Sequence, residues 1–212
     1  LDLKTGLPSL VNLENIALAG TGLFNLTGND RDNALSGNAS ANIISAGLGN
    51  DTLDGAGGND TLIGGDGDDV YVVDAVGDVI NEAAAAGNEL VKVALATAGQ
   101  TYVLSANIES ALITSTAAVN VTGNGEANTL TGNAANNVLN GAGGIDLLVG
   151  GAGNDTYIVD HADDVVSELL AQGSDLVRSS AASYALSDNV ENLTLLTGGL
   201  AGTGNGLANI LI

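Results

Sequence analysis

The sequence predicts an all-β fold, a solenoid of short parallel strands, because its apolar residues and its glycines recur with a nine-residue period. An apolar residue stands at position 8 of each nine-residue unit. These residues are Leu26, Leu35, Ile44, Leu53, Leu62, Tyr71 and Ile80, and then Val121, Leu130, Leu139, Leu148, Tyr157 and Val166. A short, constant period is typical of solenoids, in which equivalent units stack on one another.

The clearest units are GAGGNDTLI (55–63) and GGDGDDVYV (64–72). Their glycines permit the positive φ angles of a tight turn, and Asn and Asp tolerate such angles better than most residues. The last three residues suffice for a short strand whose middle side chain points inward. Two such units then complete one coil, and stacked coils form two parallel sheets. A helix is disfavoured because each of these closely spaced glycines would cost about 1 kcal/mol in it.

A longer repeat is superimposed on the nine-residue period. Residues 27–51 align with 122–146, and residues 85–93 (AAGNELVKV) match 170–178 (LAQGSDLVR). The phrases NLENI (12–16), NIESA (107–111) and NVENL (189–193) end the long units. We therefore predict one continuous solenoid over residues 1–212, with long units at about 19–113 and 114–196 and partial units at both ends. Because the chain lacks an initiating Met and stops within a repeat, we interpret it as an excerpt of a longer protein.

Two kinds of segment depart from the nine-residue units. Residues 79–87 and 165–173 contain AAAA and SELLAQ, which are also compatible with a helical turn or short helix. Residues 88–114 and 174–196 alternate weakly between apolar and polar side chains. There we predict longer strands that continue the stack with wider coils.

The charge balance restricts the classes of partner. The chain has 4 Lys and Arg residues against 25 Asp and Glu, for a formal net charge of −21. Such a chain repels phosphates, which excludes nucleic acid and anionic membrane surfaces as expected partners. The absence of cysteine excludes disulfides, a thiol nucleophile and thiolate metal sites. No apolar run reaches the length that a membrane helix needs, so we expect no membrane insertion, and residues 1–12 do not resemble a signal peptide. A cation is the partner that this composition favours.

Acidic residues concentrate at position 6 of the units. Position 6 carries Asn33, Asn42, Asp51, Asp60, Asp69 and Asp78, and later Asn128, Asn137, Asp146, Asp155 and Asp164. Calcium takes oxygen ligands at about 2.3–2.6 Å, so an ion between turns about 4.8 Å apart reaches oxygens on both. Coils of two units predict the pairs Asp51–Asp69, Asp60–Asp78 and Asp146–Asp164, and the mixed pairs Asn33–Asp51, Asn42–Asp60, Asn128–Asp146 and Asn137–Asp155. Stacked carboxylates repel unless a cation neutralises them, so calcium is the predicted cofactor.

The units GAGGNDTLI, GGDGDDVYV and GGAGNDTYI resemble the GGxGxDxUx repeat of the RTX (repeats-in-toxin, hemolysin-type calcium-binding) family. The resemblance implies a right-handed parallel β-roll with calcium between its glycine-rich turns. It also implies that the position-6 aspartate is a ligand, a role that transfers to Asp51, Asp60, Asp69, Asp146 and Asp155. The role transfers less directly to Asp78 and Asp164, whose turns lack the leading glycines. Asp74 and Asp160, just after the tyrosine-containing strands, are further candidate ligands.

Other conspicuous residues have simpler explanations. For the Asn-bearing turns, calcium is an alternative, but stacked amides that bond one another are favoured. We expect Asp66, Asp68, Asp163 and His161 to be solvated, and Tyr71 and Tyr157 to be core residues. Glu14, Glu109 and Glu191 recur in one phrase and fit a turn or capping role. Nothing indicates a catalytic pair or a substrate pocket, so we do not expect an enzyme.

These observations predict a calcium-binding structural module of a secreted bacterial protein. Extracellular calcium sites have dissociation constants of about 10⁻⁴–10⁻³ M, so the chain would stay unfolded in a cytosol and fold outside. The RTX resemblance implies type I secretion. The long repeat favours a surface fibre, adhesin or S-layer-type protein as the parent. The alternative is the calcium-binding tail of a secreted protease, lipase or polysaccharide epimerase, or an RTX toxin. Self-assembly and binding of cell-surface polysaccharide stay open.

Overall fold

The computed structural model describes residues 13–84, 86–196 and 201–212. The described residues form 22 β-strands of two to six residues and contain no helix, so none of them provides a helix that could cross a membrane. The chain divides into two compact units, Leu1–Leu95 with Ser105–Ile108 and Ala96–Leu104 with Glu109–Ile212. The prediction of an all-β solenoid is confirmed, because the strands of each unit pair in parallel.

The first unit carries two parallel sheets whose strands alternate along the chain. One sheet has the order β1 (Asn15–Ala17), β3 (Ala34–Ser36), β5 (Thr52–Asp54), β7 (Val70–Val73) and β9 (Leu90–Val93). The other has the order β2 (Asn25–Thr27), β4 (Ile43–Leu48), β6 (Thr61–Asp66) and β8 (Val79–Ile80). Each strand therefore pairs with the strand two places further along the chain, as a coil of two strands requires.

The second unit repeats this alternation. Its longest sheet has the order β10 (Thr101–Val103), β12 (Asn120–Thr122), β14 (Val138–Asn140), β16 (Thr156–Val159), β18 (Leu176–Ser179), β20 (Asn192–Leu195) and β22 (Ile210–Leu211). A second sheet contains β11 (Ser110–Ile113), β13 (Thr129–Thr131), β15 (Leu147–Val149) and β17 (Val165–Ser167). A third pairs β19 (Ser183–Ala185) with β21 (Ala201–Thr203).

The strand register confirms the coil of two nine-residue units. Leu26 pairs with Ile44, Ile44 with Leu62, and Leu62 with Ile80. The other sheet aligns Leu35 with Leu53 and then with Tyr71 in the same way. The position-8 residues from Leu26 to Ile80 and from Val121 to Val166 are each at most 1% exposed, whereas Leu211, which the same frame places at position 8, is 49% exposed. In each sheet, the position-8 side chains of successive coils thus form a buried ladder, with one apolar side chain from each strand.

The segments outside the nine-residue units continue the stack with coils of other lengths. Val70 pairs with Leu90 and Thr156 with Leu176, so both of these coils are longer than two units. Leu176 then pairs with Asn192, which makes the next coil shorter than two units. The strands there have three or four residues, so the prediction of longer strands is wrong. No helix forms in the described part of residues 79–87 and 165–173, where β8 and β17 are followed by short turns.

The glycines are needed because successive turns pack backbone against backbone. Gly67 has a φ of 136°, which L side chains rarely adopt. A Cβ on Gly67 would also collide with the carbonyl oxygen of Gly49, one coil earlier. At this position the stacked turns leave room for glycine alone.

Candidate metal sites

The position-6 residues lie directly before the strands, at the point where each turn closes. Position 6 of the sequence frame is therefore the residue before each strand, and a coil of two nine-residue units carries it twice. Its five aspartates in glycine-rich turns are each at most 2% exposed. They are Asp51, Asp60, Asp69, Asp146 and Asp155. Carboxylates so deeply buried are expected only where hydrogen bonds or a cation compensate them.

One oxygen of each carboxylate joins two coils. Oδ1 of Asp51 accepts a hydrogen bond of 2.6 Å from the backbone N–H of Asn33, and Oδ1 of Asp69 accepts one of 2.7 Å from Asp51 N–H. The Oδ1 atoms of Asp60, Asp146 and Asp155 accept equivalent bonds of 2.7–2.8 Å from Asn42, Asn128 and Asn137. In every case the donor is the position-6 residue one coil earlier. This ladder satisfies backbone N–H groups that the turns would otherwise bury without a partner.

The second oxygen of each of these carboxylates is left without a hydrogen bond. Within the described residues, Oδ2 of all five aspartates is buried and has no hydrogen-bonding partner. In four of the turns this oxygen lies against the first glycine, where an added Cβ would collide with it. These glycines are Gly55, Gly64, Gly141 and Gly150. A buried carboxylate oxygen without a partner is costly, so the arrangement favours a bound cation.

Burial shifts the acidity of these groups in the same direction. Removal from water raises the pKa of Asp51 from its ordinary 3.8 to about 7. It raises the pKa of Asp60, Asp69, Asp146 and Asp155 to about 6, although the backbone hydrogen bond to each lowers it. Without a cation, burial therefore disfavours the charged form of these carboxylates. A divalent cation bound to them would favour the charged form again.

Asp78 and Asp164 join the ladder differently. Their Oδ1 atoms accept bonds of 3.0 Å from Asp60 N–H and Asp146 N–H. Their Oδ2 atoms accept backbone bonds within their own turns, at 3.0–3.1 Å, from residues 74 and 75 and from residues 160 and 161. Both oxygens therefore already bind protein groups. These two turns lack the leading glycines, and they are also the turns in which the Oδ2 atom of the aspartate accepts backbone hydrogen bonds.

Asp74 and Asp160 are the predicted ligands with the least structural support. Both are exposed, and each directs its backbone N–H toward the aspartate four residues on. The backbone of Asp74 and of Asp160 therefore takes part in the turn through this hydrogen bond, while both residues are exposed to solvent.

The asparagine turns satisfy their polar groups without a metal. Oδ1 of Asn42 accepts a bond of 2.8 Å from Asn38 N–H, and its Nδ2 donates one of 2.8 Å to the carbonyl of Phe24. Asn137 makes the equivalent bonds to Asn133 and Val119, at 2.9 and 2.6 Å. The amides therefore bond the backbone of their own turn and of the preceding coil. The expectation that they bond one another between coils is wrong for these two.

Most of the remaining sequence expectations are confirmed. Tyr71 and Tyr157 are fully buried. Asp66, Asp68, Asp163 and His161 are exposed. Glu191 acts as a cap, since its Oε2 accepts a bond of 2.8 Å from Asp175 N–H.

Three acidic residues at these sites were missed by the sequence reasoning. The hydroxyl of Tyr71 donates to Glu82, and that of Tyr157 donates to Glu168. Asp175 replaces a position-6 aspartate, because its Oδ1 accepts a bond of 2.8 Å from the N–H of Asp155, one coil earlier. A signal for Asp175 was present in the match between NEL (88–90) and SDL (174–176), where an acid precedes a strand. The two glutamates also carried a signal, since each stands eleven residues after its tyrosine and takes the place of the first glycine of a nine-residue unit.

The fold and these turns together define a β-solenoid built to bind cations. The sequence profile of the RTX calcium-binding nonapeptide repeat matches residues 27–62, 49–80 and 122–157. The chain thus carries RTX calcium-binding repeats over these segments. No curated protein matches the chain. The matched segments contain all five aspartates whose Oδ2 lacks a partner.

Replacing the buried Asp69 by Asn tests whether its unpaired oxygen binds the ion. Asp69→Asn retains Oδ1 for the N–H of Asp51 but replaces Oδ2 by an amide nitrogen. We expect the calcium concentration at half-maximal folding to rise about tenfold, which corresponds to about 1.4 kcal/mol. Circular dichroism during a calcium titration measures this midpoint concentration. The matched control is Asp68→Asn, which removes the same charge from an exposed neighbour; equal midpoints for the two variants would contradict the assignment.

Proposed function

We propose that this chain is a calcium-dependent folding module in which Asp51, Asp60, Asp69, Asp146 and Asp155 are side-chain ligands. The observation that supports the proposal most directly is the buried, unpartnered Oδ2 atom of each of these aspartates. These side chains offer only oxygen atoms as ligands, which suits a hard cation such as calcium. Asp78 and Asp164 would act in the same stack as structural members of the ladder. The exposed side chains of Asp74 and Asp160 are not part of the proposal.

Calcium binding and folding would be one equilibrium. The unfolded chain, with a net charge of −21, keeps its carboxylates hydrated and apart. Folding stacks them in buried turns, where without a cation their second oxygens have no partner. Each ion would compensate this loss of hydration only in the stacked form, so binding stabilises the folded state selectively.

We further propose a non-catalytic, extracellular role. RTX repeats are typical of secreted bacterial proteins, and calcium is abundant outside cells. A chain that folds only there would pass through an export channel unfolded. The recurrence of the long unit supports a continuous, right-handed solenoid within a surface fibre, adhesin or S-layer-type parent. The length and domain content of the full parent protein test this, since a catalytic domain next to the repeats would favour the tail of a secreted enzyme.

The central test is folding with and without calcium. In excess chelator at neutral pH we expect the far-ultraviolet circular dichroism of a disordered chain and an expanded hydrodynamic radius. Millimolar calcium should restore the β-sheet spectrum and compact the chain. Magnesium at the same concentration is the control, because it prefers octahedral geometry and keeps its waters. A compact, β-rich chain in chelator would contradict coupled folding.

A further inference from the structure

Three buried carboxylates converge where the second run of nine-residue units ends. One ligand oxygen from each of Asp155, Glu168 and Asp175 lies within 4.8 Å of the others. We propose that these residues form a distinct divalent-cation site that closes the run. The inference rests on the proposed calcium-dependent function and shares Asp155 with it, but its other two ligands lie outside the nine-residue units.

Elements of both sheets bring these residues together. Asp155 and Asp175 precede β16 and β18, which are paired neighbours in one sheet. Glu168 follows β17 directly, and β17 belongs to the other sheet of the unit. The site therefore forms only when β16, β17 and β18 are all in place in two successive coils. Residues one coil apart in sequence become adjacent through this stacking.

Unpartnered oxygens point to a ligand at this position. Asp155 is 1% exposed and Glu168 is 7% exposed. In the described part of the chain, neither Asp155 Oδ2 nor Glu168 Oε2 has a hydrogen-bonding partner. A Cβ on Gly150 would meet Asp155 Oδ2, Glu168 Oε1 and the Tyr157 hydroxyl. The polar atoms thus converge on one small space beside a glycine.

Charge balance favours a cation over a purely hydrogen-bonded cluster. The Tyr157 hydroxyl donates to one oxygen of Glu168, Asp155 N–H donates to Asp175, and Asn137 N–H donates to Asp155. These three uncharged donors cannot neutralise three carboxylates. Arg178 is the only Lys or Arg after residue 92, and its side chain is exposed. Three carboxylates at this separation suit calcium, which tolerates irregular geometry and accepts oxygen ligands alone.

The first unit carries a related arrangement. Tyr71 donates to Glu82 as Tyr157 donates to Glu168, and in both units a glycine meets the tyrosine hydroxyl and an aspartate oxygen. Glu89 stands where the second unit has Asp175. The recurrence of this pattern in two long units shows that it is a feature of the repeat.

Counting bound ions in matched variants tests the site. In the intact 212-residue chain, Glu168→Gln should bind one calcium ion fewer than the parent, measured by native mass spectrometry and equilibrium dialysis. Asp163→Asn removes the same charge from an exposed residue five positions away and should bind the parental number. An unchanged ion count and affinity in Glu168→Gln would overturn the inference while leaving the proposed function intact.

Terbium luminescence supplies a test that does not depend on Glu168→Gln folding. An ion in this site lies beside Tyr157, whose excitation should sensitise terbium emission. Tyr157→Phe should lose a distinct part of the emission relative to the parent, and excess calcium should displace that part. Emission equal to the parent's would overturn the inference. A parent chain that folds without calcium and binds none would instead overturn the proposed function, and this inference with it.

Discussion

In the presence of chelator, acid should replace calcium as the condition that folds this chain. We expect a disordered chain at pH 8 and substantial β-structure near pH 4. The groups responsible are buried carboxylates whose second oxygens lack partners. Burial raises the pKa of Asp51, Glu82 and Glu168 to about 7, and that of Asp60, Asp69, Asp146 and Asp155 to about 6.

The sign follows from proton binding in the two states. Unfolded, these groups titrate near their ordinary values of 3.8 for Asp and 4.5 for Glu. Between about pH 4 and pH 7 the folded chain binds more protons, so the free energy of unfolding falls as pH rises. This stabilisation is fully present below pH 4 and is lost through pH 6 to 7.

Calcium should reverse the pH dependence, because it binds the deprotonated carboxylates. With calcium present, the chain should stay folded at pH 8, and its apparent calcium affinity should fall as pH drops below about 6 to 7. Circular dichroism from pH 4 to 8, with calcium or with chelator, measures both trends. A calcium-free chain that gains stability as pH rises through this window would show that the carboxylates are not buried as described.

Adding one methyl group at Gly64 should destabilise the calcium-bound fold strongly. The Cβ of Gly64→Ala would collide with Asp69 Oδ2 and with the Tyr71 hydroxyl, both of which are held by buried side chains. Overpacking of this kind costs about 1–3 kcal/mol, and displacement of a ligand oxygen would add to it. We expect the calcium midpoint of folding to rise at least tenfold.

The neighbouring Gly57 provides the control for this substitution. Gly57 lies in a turn of the same unit, and the nearest heavy atom to an added Cβ is Ala39 Cα at 3.8 Å, an ordinary contact. Gly57→Ala should therefore leave the midpoint almost unchanged. Urea denaturation in saturating calcium, run on both variants, separates the clash from the general effect of replacing glycine. Equal loss of stability in the two variants would refute the role given to Gly64.

Most of the fold was predictable because the nine-residue period recurs through both runs of nine-residue units. An apolar residue at position 8 has to face inward in each short strand, so the spacing alone assigns the core ladder from Leu26 to Ile80. The segments outside the period were harder, because AAAA in residues 83–86 carries no signal that separates a turn from a helix. The conformation of those segments depends on hydrogen bonds to the neighbouring coils, whose residues are distant in sequence.

The candidate site was predictable only in part. Position 6 and its pairing from one coil to the next follow from the repeat, and this assigns Asp51 and Asp69 to adjacent turns. The sequence does not reveal that Oδ1 of Asp69 accepts the N–H of Asp51 while its Oδ2 has no partner. That asymmetry depends on where the backbone of the preceding turn lies, to within a fraction of the length of a hydrogen bond.

By itself, the sequence determined the length of the coils built from nine-residue units, the inward ladder of apolar residues and the acidic turns, and it predicted a cation as partner. These follow from local periodicity and charge, which do not require distant contacts to be known. Only the tertiary structure decided which carboxylate oxygens lack a partner, and that Glu168 and Asp175 meet Asp155. Stacking converts a separation of one coil into contact, and the nine-residue period does not show which side chains beyond it enter that contact.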